Sequence, residues 1–150
     1  MSDLYELSQE LILDHGRKPR NHRALEGADR RAEGYNPLCG DEVTVYVKLA
    51  GDVVEEVTFQ GRGCAISTAS ASLLTQSLKG KTREEAEELF RGFHDLVTGK
   101  ADDAGLKGRL GKLAVFAGVR RFPIRVKCAT LPWHTFQAAL DQRQNPVSTE

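Results

Sequence analysis

The stretch from Asp41 to Phe59 constrains this chain most. Val43, Val45, Val47 and Leu49 alternate with Thr44, Tyr46 and Lys48, the period of two that marks a half-buried strand. Gly51-Asp52 follows as a two-residue loop, and Val53, Val57 and Phe59 resume the alternation around Glu55. This predicts an antiparallel hairpin over roughly 42–60. A hairpin with one apolar face needs cover, and the flanking sequence offers helices to supply it.

Leu4, Leu7 and Leu11, with Ile12 or Asp14, are spaced for an amphipathic helix over residues 3–15, entered through Ser2 or Asp3 and ended before Pro19. After Gly61-Arg62-Gly63-Cys64, the run from Ala65 to Leu74 is rich in small residues, with Ile66, Ala69, Leu73 and Leu74 on one helical stripe. Thr82-Arg83-Glu84-Glu85 reads as a capping box opening another helix at 83. Glycines at 92, 99, 105, 108 and 111 predict a mobile excursion. Leu110, Leu113, Ala114 and Ala117 suggest a helix stopping near Gly118. Arg121 to Lys127 reads as a short extended segment, and Pro132 as the first turn of a final helix.

The chain has 150 residues, 40% hydrophobic and 28% charged, which suits one domain with a core of its own. It has no internal repeat. Its 21 basic and 21 acidic side chains cancel, removing the usual electrostatic footprint of a nucleic-acid binder. No apolar run reaches the roughly 18 residues of a membrane span. The opening Met1-Ser2-Asp3-Leu4-Tyr5-Glu6 lacks the features of a signal peptide. The expectation is a cytoplasmic protein with neither membrane nor nucleic acid as partner.

Three cysteines, Cys39, Cys64 and Cys128, are an odd number in a chain expected to meet reducing conditions, which favours metal or thiol chemistry over disulfides. Each falls, on this reading, at the edge of an element: Cys39 in the turn before the hairpin, Cys64 at a helix start, Cys128 between an extended segment and the last helix. Asp41, on the same surface turn, lies two residues from Cys39, so in extended backbone both side chains project to one side. Three thiolates and a carboxylate make a tetrahedral set suited to zinc, or to an iron–sulfur cluster with one hard ligand. Spacing alone leaves a shared site and inert thiols both open.

Cys39-Gly40-Asp41 before a hairpin, Gly61-x-Gly63-Cys64-Ala65-Ile66-Ser67-x-Ala69-Ser70 at a helix start, and Arg125-x-Lys127-Cys128-Ala129-Thr130-Leu131-x-Trp133 near the end occur in that order. With Asp14-His15 and Pro19-Arg20-Asn21 upstream, they resemble the SufU branch of the IscU/NifU-like iron–sulfur assembly proteins over nearly the whole chain. The resemblance implies an α+β fold, a single domain over 1–150 with a small antiparallel sheet of about three strands packed on one side by helices. It implies Cys39, Asp41, Cys64 and Cys128 as metal ligands and Arg125 beside them, holding Asp41 or a thiolate. Lys127 stands where the IscU branch has a histidine before the last cysteine. Phe122-Pro123-Ile124-Arg125-Val126-Lys127 replaces that branch's chaperone-docking motif, and the Gly-rich segment near 92–111 resembles the insertion of the SufU branch. The implied activity is zinc-dependent sulfur transfer, with Cys39 accepting persulfide sulfur from a cysteine desulfurase of the SufS type and other iron–sulfur assembly proteins as further partners. The alternative is a scaffold for a [2Fe–2S] cluster on the same ligands.

Other residues have plainer readings. His15 and His22 are expected to be solvated or hydrogen-bonded, and His94 a surface residue; His134 is the histidine nearest Cys128 in sequence. Arg17, Lys18, Arg20 and Arg23, with Arg120 and Arg121, suit a solvated face or docking charges for an acidic partner. Ser67, Ser70 and Ser72 lack the context of a serine nucleophile.

Overall fold

The computed structural model describes residues 2–100, 104–142 and 146–148. Helix α1 spans Ser2–Arg17; strands β1 (Arg30–Asn36), β2 (Asp41–Ala50) and β3 (Val53–Arg62) follow, then α2 (Ala65–Leu78) and α3 (Arg83–Thr98). Helix α4 (Ala104–Leu110) leads into a 3₁₀ segment, Gly111–Arg121, before α5 (Pro123–Leu140) and the two-residue strand β4, Val147–Ser148. The sheet order is β3-β2-β1-β4. β1–β2 and β2–β3 pair antiparallel, as expected, and β4 adds a short parallel edge against β1.

The hairpin follows its hydrophobic pattern. Val43, Val45 and Val47 are buried while Glu42 and Lys48 are exposed, and Val45 and Val47 face Phe59 and Val57 across the ladder. Strand β1 carries no β-branched signal; its inward positions are Ala32, Gly34 and Asn36. They are small because α5 lies directly on them: a Cβ on Gly34 would overlap the Thr135 hydroxyl. Helix α2 packs between α1 and α5, with the Ser70 hydroxyl donating to the Ala129 carbonyl at 2.6 Å. Phe93 of α3 stacks on Trp133 of α5 at 4.9 Å, and Phe116 meets Phe93 edge-on. Thus the helices cover one face of the sheet. Among the described residues, no helix is long and apolar enough to cross a membrane.

Five expectations need correction. The segment 121–127 is not extended: it is the end of the 3₁₀ segment and the start of α5, with Pro123 in its first turn. Pro132 lies inside α5, where packing of Leu131, Trp133, Thr135 and Phe136 holds the helix together despite a proline that cannot donate to the Cys128 carbonyl. Cys128 is therefore a buried residue within a helix, not one between two elements. The Gly-rich segment is largely helical rather than a mobile excursion. Gly92 allows Leu106 and Leu110 to pack against α3, and Gly99 closes that helix in the left-handed conformation at φ 79°; residues 101–103 lie outside the described residues. Finally, α1 already includes Ser2 and Asp3, the residues expected to cap it.

Candidate metal centre

Three elements deliver the sulfurs to one spot. The turn 37–40 between β1 and β2 carries Cys39, and its shape is set by Asn36. The Asn36 main-chain carbonyl accepts from Gly40 N at 2.8 Å and from Cys39 N at 3.3 Å, and its Oδ1 accepts from Leu38 N at 3.1 Å. Gly40 takes φ +74°, which a side chain disfavours. Cys39 is exposed on this turn. Cys64 is the N-cap of α2, its sulfur accepting from Ser67 N at 3.4 Å. Cys128 reaches the same spot from the second turn of α5 and is 2% exposed.

Asp41, the first residue of β2, is fully buried, not the surface-turn carboxylate that the sequence suggested. Its Oδ1 accepts from Cys64 N at 2.8 Å, and its Oδ2 lies 3.7 Å from Cys64 Sγ. Gly63 makes room for it, since a Cβ there would run into Oδ1. The Cys39, Asp41 and Cys128 ligand atoms lie within 4.8 Å of one another, the two sulfurs 3.4 Å apart. Cys64 joins this cluster through its contact with Asp41. The structure thus brings together all four residues that the sequence singled out.

The electrostatics of the cluster are lopsided. Among the described residues, no Lys, Arg or His pairs with Asp41. A buried carboxylate without a cation is costly. Two thiols beside it share protons unevenly: hydrogen bonding from Cys128, helped by the Ser67 N–H, lowers the Cys64 thiol to about 7 against burial and the Asp41 charge. Cys128 is raised by that same bond and by burial. Thiolate and carboxylate oxygen packed this closely are the donor set of a zinc or iron–sulfur site, so the residues present fit a bound cation.

The three sulfurs are also held differently. Cys64 accepts from a main-chain amide, and Cys128 accepts from Asn36 Nδ2 at 3.7 Å. Among the described residues, no amide nitrogen donates to the Cys39 sulfur. The sequence reading gives Asn36, Gly63 and Ser67 no role in the site, although Gly63 and Ser67 stand in the motif around Cys64; the Asn-Pro step before the cysteine turn is the one available signal for Asn36.

The resemblance implies that Arg125 holds Asp41 or a thiolate, but among the described residues no hydrogen bond or ion pair joins it to either. It is exposed on the first turn of α5, its guanidinium 4.4 Å from the Phe122 ring centroid, while the Cys64 amide occupies Asp41 Oδ1. His134 and His94 pack edge-on around Phe90 rather than entering the cluster. His15 is buried, with Nδ1 2.6 Å from Ser72 Oγ, and the His22 ring lies tilted against Phe59, centroids 4.8 Å apart. Arg20 and Arg23 pair with Asp14 and Glu56.

The chain resembles known proteins along nearly its whole length. It is 38% identical over 143 residues to the zinc-dependent sulfurtransferase SufU of Bacillus subtilis (strain 168), covering 95% of each chain. It is 37% identical over 145 residues to the iron–sulfur cluster assembly scaffold protein IscU of Streptococcus pyogenes serotype M1, covering 97% of this chain and 89% of that protein. A crystal structure from Fervidobacterium islandicum AW-1, described as a putative iron–sulfur cluster assembly scaffold protein for the SUF system, superposes with a TM-score of 0.81. The two are 40% identical, over 87% of this chain and 94% of that one. The NifU-like N-terminal domain matches residues 7–129, from α1 to just past Cys128, and on that match the chain belongs to the NifU-like N-terminal domain family.

Proposed function

We propose that this protein is a zinc-dependent sulfur acceptor of iron–sulfur cluster assembly, taking persulfide sulfur from a cysteine desulfurase of the SufS type. Cys39, Asp41, Cys64 and Cys128 hold the zinc. Bound there, Zn²⁺ has no redox chemistry and keeps its thiols deprotonated. The observation that carries the reading is the unequal hold on the sulfurs: two accept amide hydrogen bonds, and the third sits on an exposed turn without one. The name of the B. subtilis relative supports the same reading, at 38% identity over 95% of both chains.

The chemistry assigned to the chain's own residues is thiol exchange. The Cys39 thiolate attacks the outer sulfur of the desulfurase persulfide. A new S–S bond forms on Cys39, the donor's S–S bond breaks, and the donor cysteine departs as its thiolate. Gly40 gives the turn the freedom to move, and Cys64 and Cys128 stay as anchors. Arg125, exposed one turn before Cys128, acts at the rim of the site and meets the partner rather than Asp41.

The test is metal content together with desulfurase turnover. Aerobically purified protein is expected to hold about one zinc per chain without visible absorption, as a closed zinc site does, and the zinc-loaded form to raise turnover of a SufS-type desulfurase. Brown protein carrying iron and sulfide, with turnover unchanged, contradicts the proposal and favours the [2Fe–2S] scaffold.

A further inference from the structure

Two thiols whose sulfurs lie 3.4 Å apart present the same chemistry to an incoming persulfide, and something must choose between them. Asn36 touches both. It is the last residue of β1, fully buried and paired with Asp41 in the ladder. Its main-chain carbonyl and Oδ1 organise the turn that carries Cys39, while Nδ2 donates to Cys128 Sγ. The amide orientation follows from the bonding: a flip would set the NH₂ group against Leu38 N–H and the oxygen against sulfur lone pairs.

Building on the sulfur-acceptor reading, we propose that Asn36 is a positioning residue that directs sulfur transfer to Cys39 by clamping Cys128. An N–H donated to sulfur draws electron density from its lone pairs and fixes its direction, making it a poorer nucleophile and a steadier ligand. Cys64 is clamped in the same way by Ser67 N, which leaves Cys39 as the sulfur without such a bond among the described residues. An aspartate at position 36 would keep the acceptor for Leu38 N–H and lose the donor; a leucine would lose both.

The test loads zinc-bound wild type, Asn36→Asp and Asn36→Leu with a desulfurase and cysteine, alkylates, and maps the extra sulfur by mass spectrometry. Wild type is expected to carry it on Cys39. In both variants the share on Cys128 is expected to rise about 10-fold or more, the lower end of the effect of removing a residue that supports a metal ligand. An unchanged distribution in the variants overturns the proposal. So does a change in Asn36→Leu with Asn36→Asp like wild type, since the turn contact alone would then act. Cobalt-substituted protein gives a readout that does not depend on transfer: the sulfur-to-cobalt absorption band of Asn36→Leu should move to longer wavelength, and an unmoved band overturns the clamp. Absence of persulfide from every cysteine of the wild type counts against the sulfur-acceptor reading instead, and the cobalt band then decides the clamp by itself.

Discussion

Replacing Asp41 with Asn separates a ligand from a structural acceptor. The substitution keeps the side chain's shape and an oxygen for Cys64 N–H, 2.8 Å away, but removes a charge that is fully buried and lacks a cationic partner among the described residues. Without metal, an unpaired buried ion costs several kcal/mol. Against that gain, the hydrogen bond to Cys64 N weakens from about 1.5–3 kcal/mol for a charged acceptor to about 1 for a neutral one. The net expectation is a metal-free fold more stable by about 1–2 kcal/mol, or about 2–8 °C in Tm for a chain of this size. With zinc that gain is opposed, and the zinc-induced rise in Tm is smaller than in wild type. A 10- to 100-fold weaker site removes about 1.4–2.7 kcal/mol of the stabilisation that saturating zinc confers. Thermal melts by circular dichroism, with and without zinc, read both changes. A metal-free Asp41→Asn that melts lower than wild type, with its zinc-induced rise intact, would refute the reasoning and reduce Asp41 to a structural acceptor.

Further expectations follow from residues outside the cluster. Burial, reinforced by the Arg20 cation, holds His15 below the usual imidazole value, so the unfolded chain takes up a proton near pH 6.5 that the folded one refuses. Stability from this group is present above about pH 6.5 and lost as the pH falls below it; urea midpoints at pH 7.5 and 5.5 should differ more for wild type than for His15→Gln, and equal differences would remove His15 as the cause. Gly34→Ala should destabilise by about 1–3 kcal/mol through overlap with the Thr135 hydroxyl; Thr135→Ala in the same chain should recover most of that loss, and additive costs in the double variant would show that the clash is not the cause. Arg125→Ala should keep its zinc and lose transfer rate, measured as desulfurase turnover; loss of zinc would put Arg125 inside the site rather than at its rim.

The parts of the fold that were legible in the sequence are those where a local rule and tertiary packing agree. The hairpin's alternation survives because one face is buried, and the capping box at Thr82 and Glu85 forms with both of its hydrogen bonds. Strand β1 was not legible, because contact with α5 selects Ala32, Gly34 and Asn36, residues without strand propensity. Helix α5 was misread because Pro132 looks like a helix start, whereas burial of Leu131, Trp133 and Phe136 carries the helix through it. At the site, Cys39, Asp41, Cys64 and Cys128 were nameable because their motifs are distinctive in order and type. Burial of Asp41 and the Asn36 bond to Cys128 were not, since both arise from β1, β2 and α5 meeting in space.

The central claim is that sulfur lands on Cys39. The most direct measurement incubates the zinc-loaded chain with a cysteine desulfurase and cysteine, traps persulfides by alkylation, and maps the added sulfur by mass spectrometry. The expected result is one extra sulfur, mainly on Cys39, lost in Cys39→Ser. Extra sulfur mainly on Cys64 or Cys128, or none on any of the three while iron and sulfide accumulate on the protein, would contradict it.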